Sequence, residues 1–540
     1  MKTDKRPNII LILNDDMGYS DLGCYGGEIH TPNLDRLAAN GLRFTQFYNT
    51  ARCCPSRASL LTGLHPHQAG VGDMTSPLGP DGYEGTLNRR CVTIAEVLKR
   101  AGYRTYMSGK WHVCGDVTNP NDAWPCHRGF DRYYGILGGG ASYFWPETLT
   151  RDNTNVEYEA QNDPDFYLTD AISDSASEFI AARCREHRDG PFFLYLAYTS
   201  PHWPLHAKEE DIARYRGRFD KGWDALRAER LERMRAMGIL DPDLHLSPRD
   251  PAQPPWELAD NKHWQTRRME VYAAQIDRMD QGIGRVVDAL QKTGEMDNTL
   301  IIFLADNGGC HEELDHDWTR WIFRAKVGRP RTRDGRIVRV GNDPGITPGA
   351  EDTYCSYGVP WANLSNTPFR MYKCWVHEGG ISTPFIVHWP AGIEAKGEPR
   401  RQPGQLPDVM ATILDVTGAD YPATHAGSHI PPCEGTSLVP AFSNAPIKDR
   451  MLFWEHEGNA AVRHGKWKLV RNFSGRTSGT PGYDPPGQRG GWELYDIESD
   501  RSELHDMAAD HPERVRELSD AWRQWAERAS VLPSPLGDIN

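Results

Sequence analysis

Hydrophobic runs of strand length alternate with amphipathic helical segments along most of the chain. The runs are continuous rather than alternating in polarity, which is typical of strands covered on both faces, as in a parallel sheet. The predicted strands are residues 8–13, 103–107, 192–198, 299–305 and 384–389. Strands that alternate with helices in this way indicate a large, doubly wound α/β domain with a mixed, mostly parallel sheet.

The intervening helices carry start and stop signals. Thr31 and Thr93 are predicted N-caps, and Gly41 and Gly102 follow the two helices as stop signals. A longer helix is predicted from apolar residues that recur with helical spacing. These residues are Met269, Tyr272, Ile276, Met279, Ile283, Val286, Val287 and Leu290.

The pattern changes after about residue 445. The segments MLFWEHEG, AAVRHGKWKLVRN and GWELYDIE are predicted to be short strands, with a turn at His464–Gly465. A final helix presents Val515, Leu518, Trp522 and Trp525 on one face. We therefore predict two units: an α/β domain over residues 1–445, and a C-terminal α+β subdomain of antiparallel sheet plus helix over residues 446–540.

Composition and charge restrict the possible functions. The 540 residues include 74 acidic and 61 basic side chains, a net charge of −13, so a nucleic-acid partner is not expected. The mean hydropathy of −0.63 argues against an integral membrane protein. The apolar run at residues 9–13 is too short for a membrane span or a secretory signal, which predicts a cytoplasmic protein; the alternative is a periplasmic or secreted protein whose signal has been removed. The eleven cysteines show no framework spacing and are expected to be mostly free thiols.

Polar residues that are able to bind a ligand or to take part in catalysis follow the predicted strands. Asp15 and Asp16 follow the first strand, and Asp306 and Asn307 follow the fourth. Other strands lead to the pair Lys110 and His112 and to His202. Ligands of open α/β sheets bind beyond the carboxyl ends of the strands. Crowded carboxylate and amide oxygens indicate a hard cation, with calcium favoured over magnesium; the alternative is a helix cap and a turn.

The segment ARCCPSRASLLTG, residues 51–63, suggests a helix that begins just behind two cysteines. A helix N-terminus carries partial positive charge and free N–H groups, which suit an anion and activate a nearby thiol. Taken alone, Cys-Cys-Pro would equally fit a turn or a structural thiol.

These motifs resemble the sulfatase family of the alkaline-phosphatase-like superfamily. The family signature Cys-x-Pro-x-Arg, with a short helix ending in Thr-Gly, is similar to CCPSR at 53–57 and LTG at 61–63. The segments DDMGYSDLGCYG, GKWH, SPHWPL, ADNGG, RMYKCWVHEGGISTP and WELYDIESDRSELHDMA resemble further family blocks, in the family order. The set looks most like bacterial arylsulfatases. It departs at Ser382, where many relatives carry arginine.

The resemblance implies a sulfuric ester hydrolase that uses calcium and a formylglycine made from Cys53 by a maturation enzyme. The implied metal ligands are Asp15, Asp16, Asp306, Asn307 and the hydrated aldehyde of residue 53. Arg57 would hold that hydrate, Lys110 would bridge it to the sulfate, and His112 would be the base that restores the aldehyde. His202 and Lys373 would bind the sulfate and protonate the leaving oxygen of a small-molecule or saccharide sulfate ester.

Two other functions are compatible with the same residues. A phosphonate monoester or phosphodiester hydrolase of this superfamily can share the cysteine motif and the metal set. A chain whose Cys53 is never converted would instead be a silent binder of sulfated ligands. The sequence names neither the sulfated substrate nor the oligomeric state.

Four other features are interpreted more conservatively. His65 and His67 are interpreted as structural, and residues 310–318 as a polar loop that rims the pocket. The basic stretch 320–339 is interpreted as a solvated loop, with steering of anionic substrates as the alternative. Tyr143, Phe144, Trp145 and Trp361 are candidate pocket walls that could equally belong to the core.

Overall fold

The computed structural model describes residues 6–79, 81–186, 190–472 and 490–536. Strands are distributed over the whole chain, as the alternating pattern predicts. They are β1 Asn8–Asp15, β2 Leu42–Tyr48, β3 Arg104–Gly109, β4 Arg132–Ile136, β5 Leu149–Arg151, β6 Thr154–Asn155, β7 Phe192–Pro201, β8 Thr299–Ala305, β9 Arg339–Val340, β10 Thr353–Tyr354, β11 Ser382–His388, β12 Glu398–Arg400, β13 Gly404–Gln405, β14 Thr424–His425, β15 Ser428–His429, β16 Met451–His456, β17 Asn459–His464, β18 Trp467–Arg471 and β19 Trp492–Asp496.

Helices fill the intervals between the strands and cover both faces of the main sheet. They are α1 Pro32–Ala39, α2 Cys53–Thr62, α3 Ile94–Arg100, α4 Glu157–Asn162, α5 Leu168–Glu186, α6 Glu209–Ala213, α7 Gly222–Ala236, α8 Lys262–Thr293, α9 Trp318–Arg324, α10 Gly358–Ser365, α11 Glu378–Ile381, α12 Pro407–Thr417, α13 Val439–Phe442 and α14 Pro512–Arg528. Among the described residues, none of these helices has the length and apolar character needed to cross a bilayer.

The main sheet has the order β12-β2-β11-β8-β1-β7-β3-β4-β5-β6, with β13 also paired to β2. At its centre, β1 runs parallel to both β7 and β8, and β3 runs parallel to β7 and β4. β11 runs antiparallel to β2 and β8. Its continuous apolar run therefore reflects burial on both faces rather than parallel pairing. The doubly wound, mixed, mostly parallel sheet is confirmed.

Alternate residues of β1 face two separate cores. Ile10 and Ile12 pack in the core under α5 and α8, while Leu11 and Leu13 pack in the core that contains α2, α3 and α12. The predicted apolar face of α8, from Met269 to Leu290, is buried in the first core. This double coverage holds the carboxyl ends of the central strands in fixed positions.

The two predicted N-caps differ. Thr93 forms a capping box with Glu96 at the start of α3, as expected. Thr31 occupies the N-cap position of α1, but its side chain makes no cap hydrogen bond. Its hydroxyl instead donates to Asp35 and accepts from the backbone N–H of Gly23. Thr31 is therefore at the predicted N-cap position, but its hydroxyl bonds to Asp35 and to the neighbouring loop instead of capping the helix.

The C-terminal region forms the four-stranded antiparallel sheet β16-β17-β18-β19, and α14 packs on it. Leu518, Trp522 and Trp525 are buried, and Val515 is partly buried against the same cluster. His464 pairs with Trp467, so the tight turn lies at residues 465–466, one position later than predicted. The α+β subdomain is confirmed as structure, while its boundary at residue 446 stays a prediction.

A buried ionic group joins this sheet to the α/β domain. We call Glu378, Lys468, Arg501 and Glu503 the seam cluster. Lys468 Nζ lies 3.0 Å from Glu378 Oε1 and 2.8 Å from Glu503 Oε1, and Arg501 Nε donates to Glu378 Oε2 at 2.8 Å. Ser382 donates its hydroxyl to Glu378 Oε2. This is the position at which many relatives carry arginine.

Candidate active site

Three carboxylates and an amide meet where β1 and β8 end side by side. Asp15 ends β1, and Asp16 follows it with a positive φ of 68° that turns the chain across the edge of the sheet. Asp306 and Asn307 directly follow β8. Asp306 Oδ1 accepts from the backbone N–H of Asp16 at 3.2 Å, and Asn307 Nδ2 donates to Asp16 Oδ1 at 2.7 Å. The predicted convergence of these four residues, here called the strand-end cluster, is present.

The donor set fits a hard cation. Asp15 Oδ1 and Asn307 Oδ1 are buried oxygens that make no hydrogen bond. Burial and the neighbouring Asp15 raise the pKa of Asp306 well above its usual range, although Arg57 opposes the shift. Burial also raises the pKa of Asp15, against Lys110 and Arg57. Crowded oxygens that repel one another are the ligands that calcium prefers, so the four residues would hold it.

Two cations lie on one side of the strand-end cluster. Lys110, immediately after β3, places Nζ 2.6 Å from Asp15 Oδ2. Arg57 Nη2 donates to Asp306 Oδ2 at 2.7 Å, and Arg57 Nη1 donates to the Lys110 carbonyl at 3.0 Å. Both side chains are fully buried. They are therefore fixed in direction, which is the property needed to stabilise an anionic transition state.

Cys53 is the first residue of α2, so the helix begins at the cysteine rather than behind it. The thiols of Cys53 and Cys54 and a ring nitrogen of His112 lie within 4.8 Å of one another. A hydrogen bond with Cys54 and the nearby charges of Lys110 and His112 hold the pKa of Cys53 well below its usual range. Burial acts in the opposite direction but is outweighed. Arg57, four residues later, lies on the same side of the helix. The helix thus presents both residues to the strand-end cluster.

His202 and Lys373 approach the strand-end cluster through Asp16. Lys373 Nζ lies 2.9 Å and His202 Nε2 lies 3.4 Å from Asp16 Oδ2. The Nδ1 of His202 lies 2.7 Å from the Trp203 carbonyl, so Nδ1 carries a proton and Nε2 faces the site. Burial lowers the pKa of His202 to about 4. Burial also acts to lower the pKa of Lys373, but Asp16 and Cys310 outweigh it and raise that pKa.

Glu312 is a member of the site that the sequence analysis missed. We expected residues 310–318 to form a polar rim, but Glu312 is buried. Its Oε1 lies 3.2 Å from Arg52 Nη1, and its Oε2 accepts from Trp203 Nε1 at 2.6 Å and lies 3.6 Å from Lys373 Nζ. The carboxylate therefore ties together residues beside Cys53, His202 and Lys373. No local pattern in residues 310–318 marks it, because its partners come from distant segments of the chain.

His65 and His67, which we interpreted as structural, contact side chains outside the strand-end cluster. His67 Nε2 lies 2.8 Å from Glu455 Oε2, and the His67 ring contacts Tyr83. His65 packs its ring against Trp525. These contacts favour the structural interpretation for both residues.

Four of the eight basic side chains in the stretch 320–339 form ion pairs with acidic residues, which favours the solvated-loop interpretation. The pairs are Arg329 with Glu157, Arg333 with Glu351, Arg336 with Asp334 and Arg339 with Asp352.

The candidate pocket walls have different roles. Trp361 is fully buried among Trp223 and Trp256, so it belongs to the core. Tyr143 donates its hydroxyl to the carbonyls of Thr199 and His202, each at 2.9 Å, and so supports the His202 loop. Phe144 and Trp145 are partly buried, and Arg333 and Arg329 lie over their rings.

Comparison with known proteins identifies the family of this chain. The model of the Sulfatase family matches residues 7–419. The chain is 35% identical to an arylsulfatase of Klebsiella aerogenes, over 83% of this chain and 94% of the relative. It is 32% identical to an uncharacterized sulfatase of Schizosaccharomyces pombe, over 98% and 95% of the two chains. The crystal structure of Ps i-CgsB in complex with k-i-k-neocarrahexaose superposes with a TM-score of 0.65 at 26% identity, covering 97% of this chain and 93% of the other. The chain therefore belongs to the sulfatase family.

Proposed function

We propose that this protein hydrolyses sulfate esters to an alcohol and inorganic sulfate, using calcium at the strand-end cluster and a formylglycine made from Cys53. The observation that carries the proposal is the convergence of Cys53, buried oxygen donors and fixed cations on one sheet edge. Asp15 lies at its centre, with Lys110 Nζ at 2.6 Å and Arg57 Nη2 at 3.6 Å. Membership of the sulfatase family supports the same reaction.

The side of the site near Cys53 serves the nucleophile. When present, the formylglycine hydrate supplies the attacking oxygen, and calcium supplies a Lewis acid that neutralises sulfate oxygens. Arg57 and Lys110 hold positive charge beside residue 53, where negative charge grows as the bond to sulfur forms. Burial lowers the pKa of His112 to about 4, so its imidazole is neutral and able to accept a proton from residue 53.

The Asp16 side of the site serves the leaving alcohol. Lys373 Nζ and His202 Nε2 both point to the same oxygen of Asp16, so they face one position in space. Lys373 is held in the charged form by its neighbours and is the proton donor to the ester oxygen. His202, with its Nδ1 proton donated to the Trp203 carbonyl, directs the acceptor nitrogen Nε2 at that same position. The cations that serve the nucleophile thus contact Asp15 and Asp306, whereas the proton donor contacts Asp16.

A turnover screen of sulfate, phosphate and phosphonate esters tests the proposal. The maturation enzyme is co-expressed, and the mass of the peptide covering residues 51–63 reports whether the Cys53 thiol has become an aldehyde. The arylsulfatase relative supports para-nitrophenyl sulfate as one substrate, and the complex of Ps i-CgsB with a hexaose supports saccharide sulfates as others.

We expect sulfate release that is lost in Cys53→Ala and on chelation, and kept in the matched control Cys54→Ala. Loss of the nucleophile lowers the rate by about 10⁴-fold or more. Unchanged turnover in Cys53→Ala would overturn the proposal. A strong preference for phosphodiesters or phosphonates over every sulfate ester would favour the related hydrolase class instead, and an unconverted thiol with no turnover would favour a binding protein.

A further inference from the structure

A second group of buried polar side chains lies beside Cys53, outside the set used above. We call Arg52, Asp73, Cys374, His456 and Glu457 the hairpin cluster. Donor atoms of Cys374, His456 and Glu457 lie within 4.8 Å of one another, and all three residues are buried. Asp73 and Cys53 are both close enough to His456 to offset part of the effect of burial on its pKa. The cluster therefore adjoins the residue that is proposed to become the nucleophile.

The C-terminal sheet delivers two members of this cluster. His456 pairs with Asn459 at the end of β16 and β17, which leaves Glu457 and Gly458 as a two-residue turn. Both turn residues have positive φ, 50° and 85°, as tight hairpin turns require. Asn459 Nδ2 donates to the Cys374 carbonyl at 3.1 Å and so ties the turn to the lysine segment.

His456 is the observation that points to a ligand. Its side chain is completely buried, and neither ring nitrogen makes a hydrogen bond. Glu457 Oε1 lies 3.7 Å from Nε2, beyond hydrogen-bond distance. Burial lowers the pKa of the imidazole to about 4, so at neutral pH one nitrogen donates and the other accepts. A buried polar group without a partner is costly, and such groups are uncommon unless they serve binding.

The hairpin cluster also adjoins the leaving-group side of the site. Arg52 precedes Cys53 and contacts Glu312, whose other oxygen lies near Lys373. Cys374 follows Lys373 directly in the chain. The part of the substrate that carries the ester oxygen is therefore adjacent to these side chains.

A transition metal is the other ligand that a Cys-His-Glu set suits. Arg52 Nη1, however, lies 2.7 Å from Cys374 Sγ, and burial raises the pKa of that thiol to about 12. A fixed positive charge on a neutral thiol opposes binding of a cation. Hydrogen bonding to an organic ligand is the better use of these groups.

We propose that the hairpin cluster is a subsite for the hydroxyl groups of a sulfated saccharide, with His456 and Glu457 as specificity-determining residues. The inference rests on the proposed function and names its substrate class. Adjacent sugar hydroxyls both donate and accept, so they match a neutral imidazole, two carboxylic side chains and a guanidinium. A plain aryl ring offers no hydrogen-bonding group to the His456 ring nitrogens.

The test compares kcat/KM for para-nitrophenyl sulfate with that for a panel of galactose, N-acetylgalactosamine and N-acetylglucosamine monosulfates. The variants are His456→Phe and Glu457→Gln in the matured enzyme. His464→Gln, at the far end of β17, is the matched control. We expect the ratio of saccharide to aryl kcat/KM to fall at least tenfold in both variants, mainly through KM, because lost hydrogen-bonding partners discriminate strongly. The control should keep the wild-type ratio, and the residual aryl turnover reports folding.

Equal losses on both substrate classes, or no loss on either, would overturn the inference. So would stoichiometric zinc in the wild-type protein that is absent from His456→Phe. Wild-type enzyme that turns over para-nitrophenyl sulfate but no saccharide in the panel would refute the subsite alone. Wild-type enzyme inactive on both classes would refute the proposed function and the subsite together.

Discussion

The strand-end cluster and the seam cluster are both buried and both highly charged, yet their charges are arranged in opposite ways. In the seam cluster, the two carboxylates face cations: Lys468 contacts both Glu378 and Glu503, and Arg501 contacts Glu378. In the strand-end cluster, Asp306 and Asp15 face each other as well as the cations, and buried oxygens remain without hydrogen bonds.

The titration behaviour reflects this difference. Burial acts to raise the pKa of Glu378, but Lys468 and Arg501 outweigh it and lower the pKa to about 2. For Asp306, burial and Asp15 prevail over Arg57, and the pKa rises. Matched buried charge therefore holds two units of the fold together, whereas mismatched buried charge indicates a site that a ligand completes.

The largest expected effect is on catalysis at the mismatched cluster. Asp306→Asn removes a proposed calcium ligand, and we expect sulfate-ester turnover to fall by about 10³-fold or more, because the Lewis acid contributes several kcal/mol. In chelator, the same variant should be at least as stable as wild type, since it relieves repulsion with Asp15. The unfolding free energy in chelator is measured with urea. If Asp306→Asn lost as much stability as a seam-cluster variant, the proposed difference between the two clusters would be wrong.

The matched cluster should show the opposite behaviour. Glu378→Gln leaves Lys468 and Arg501 with less negative charge, and we expect a loss of about 3 kcal/mol or more in unfolding free energy at pH 7. Because the folded pKa of Glu378 is depressed to about 2, this contribution is present above the unfolded pKa near 4.5 and is lost as pH falls toward 2. Urea titrations at pH 7 and pH 3 measure the loss of unfolding free energy and its dependence on pH. The exposed Glu498→Gln is the control, and a Glu378 effect independent of pH would refute this assignment.

The stabilisation that calcium provides should depend on the strand-end cluster and not on the seam cluster. Calcium at a hundredfold excess over its Kd is expected to stabilise wild type by about 2.7 kcal/mol. Glu378→Gln should keep this increment, and Asp306→Asn should lose most of it. Thermal unfolding with and without calcium measures the increments, and an equal increment in both variants would place the ion elsewhere.

The smallest effect is expected at Glu312, where a single carboxylate is matched by several cations inside the active site. Glu312→Gln should lower kcat by about 10-fold to 100-fold, as for residues that position a catalytic group. The loss should be greater for alkyl sulfates than for para-nitrophenyl sulfate, because a poor leaving group depends more on the Lys373 proton. Glu313→Gln is the matched control, since Glu313 pairs with Arg268. Equal losses for both kinds of ester would indicate a merely structural role.

The central sheet and most of the site were predictable because they are encoded locally. A continuous apolar run followed by Asp15 or by Asp306 specifies both a buried strand and what stands at its end. The α2 signal was equally local, although the exact start of the helix at Cys53 was not. The paired Asp15 and Asp306 meet because neighbouring parallel strands end together.

Other features depend on contacts between distant segments and left no local signal. The direction of β11 is set by its pairing with β2 and β8 rather than by its own composition. Glu312 is buried because Arg52 and Lys373 arrive from elsewhere in the chain. His456 looks like an ordinary strand residue until a tight turn carries it to the neighbourhood of Cys53.

The burial of Cys53 sets an order of events during biosynthesis. Cys53 is only 2% exposed, and every residue of α2 is buried. The active site of another enzyme cannot close around a side chain that is almost entirely buried. The proposed oxidation of Cys53 therefore has to take place while this segment is still extended, before the nascent chain collapses.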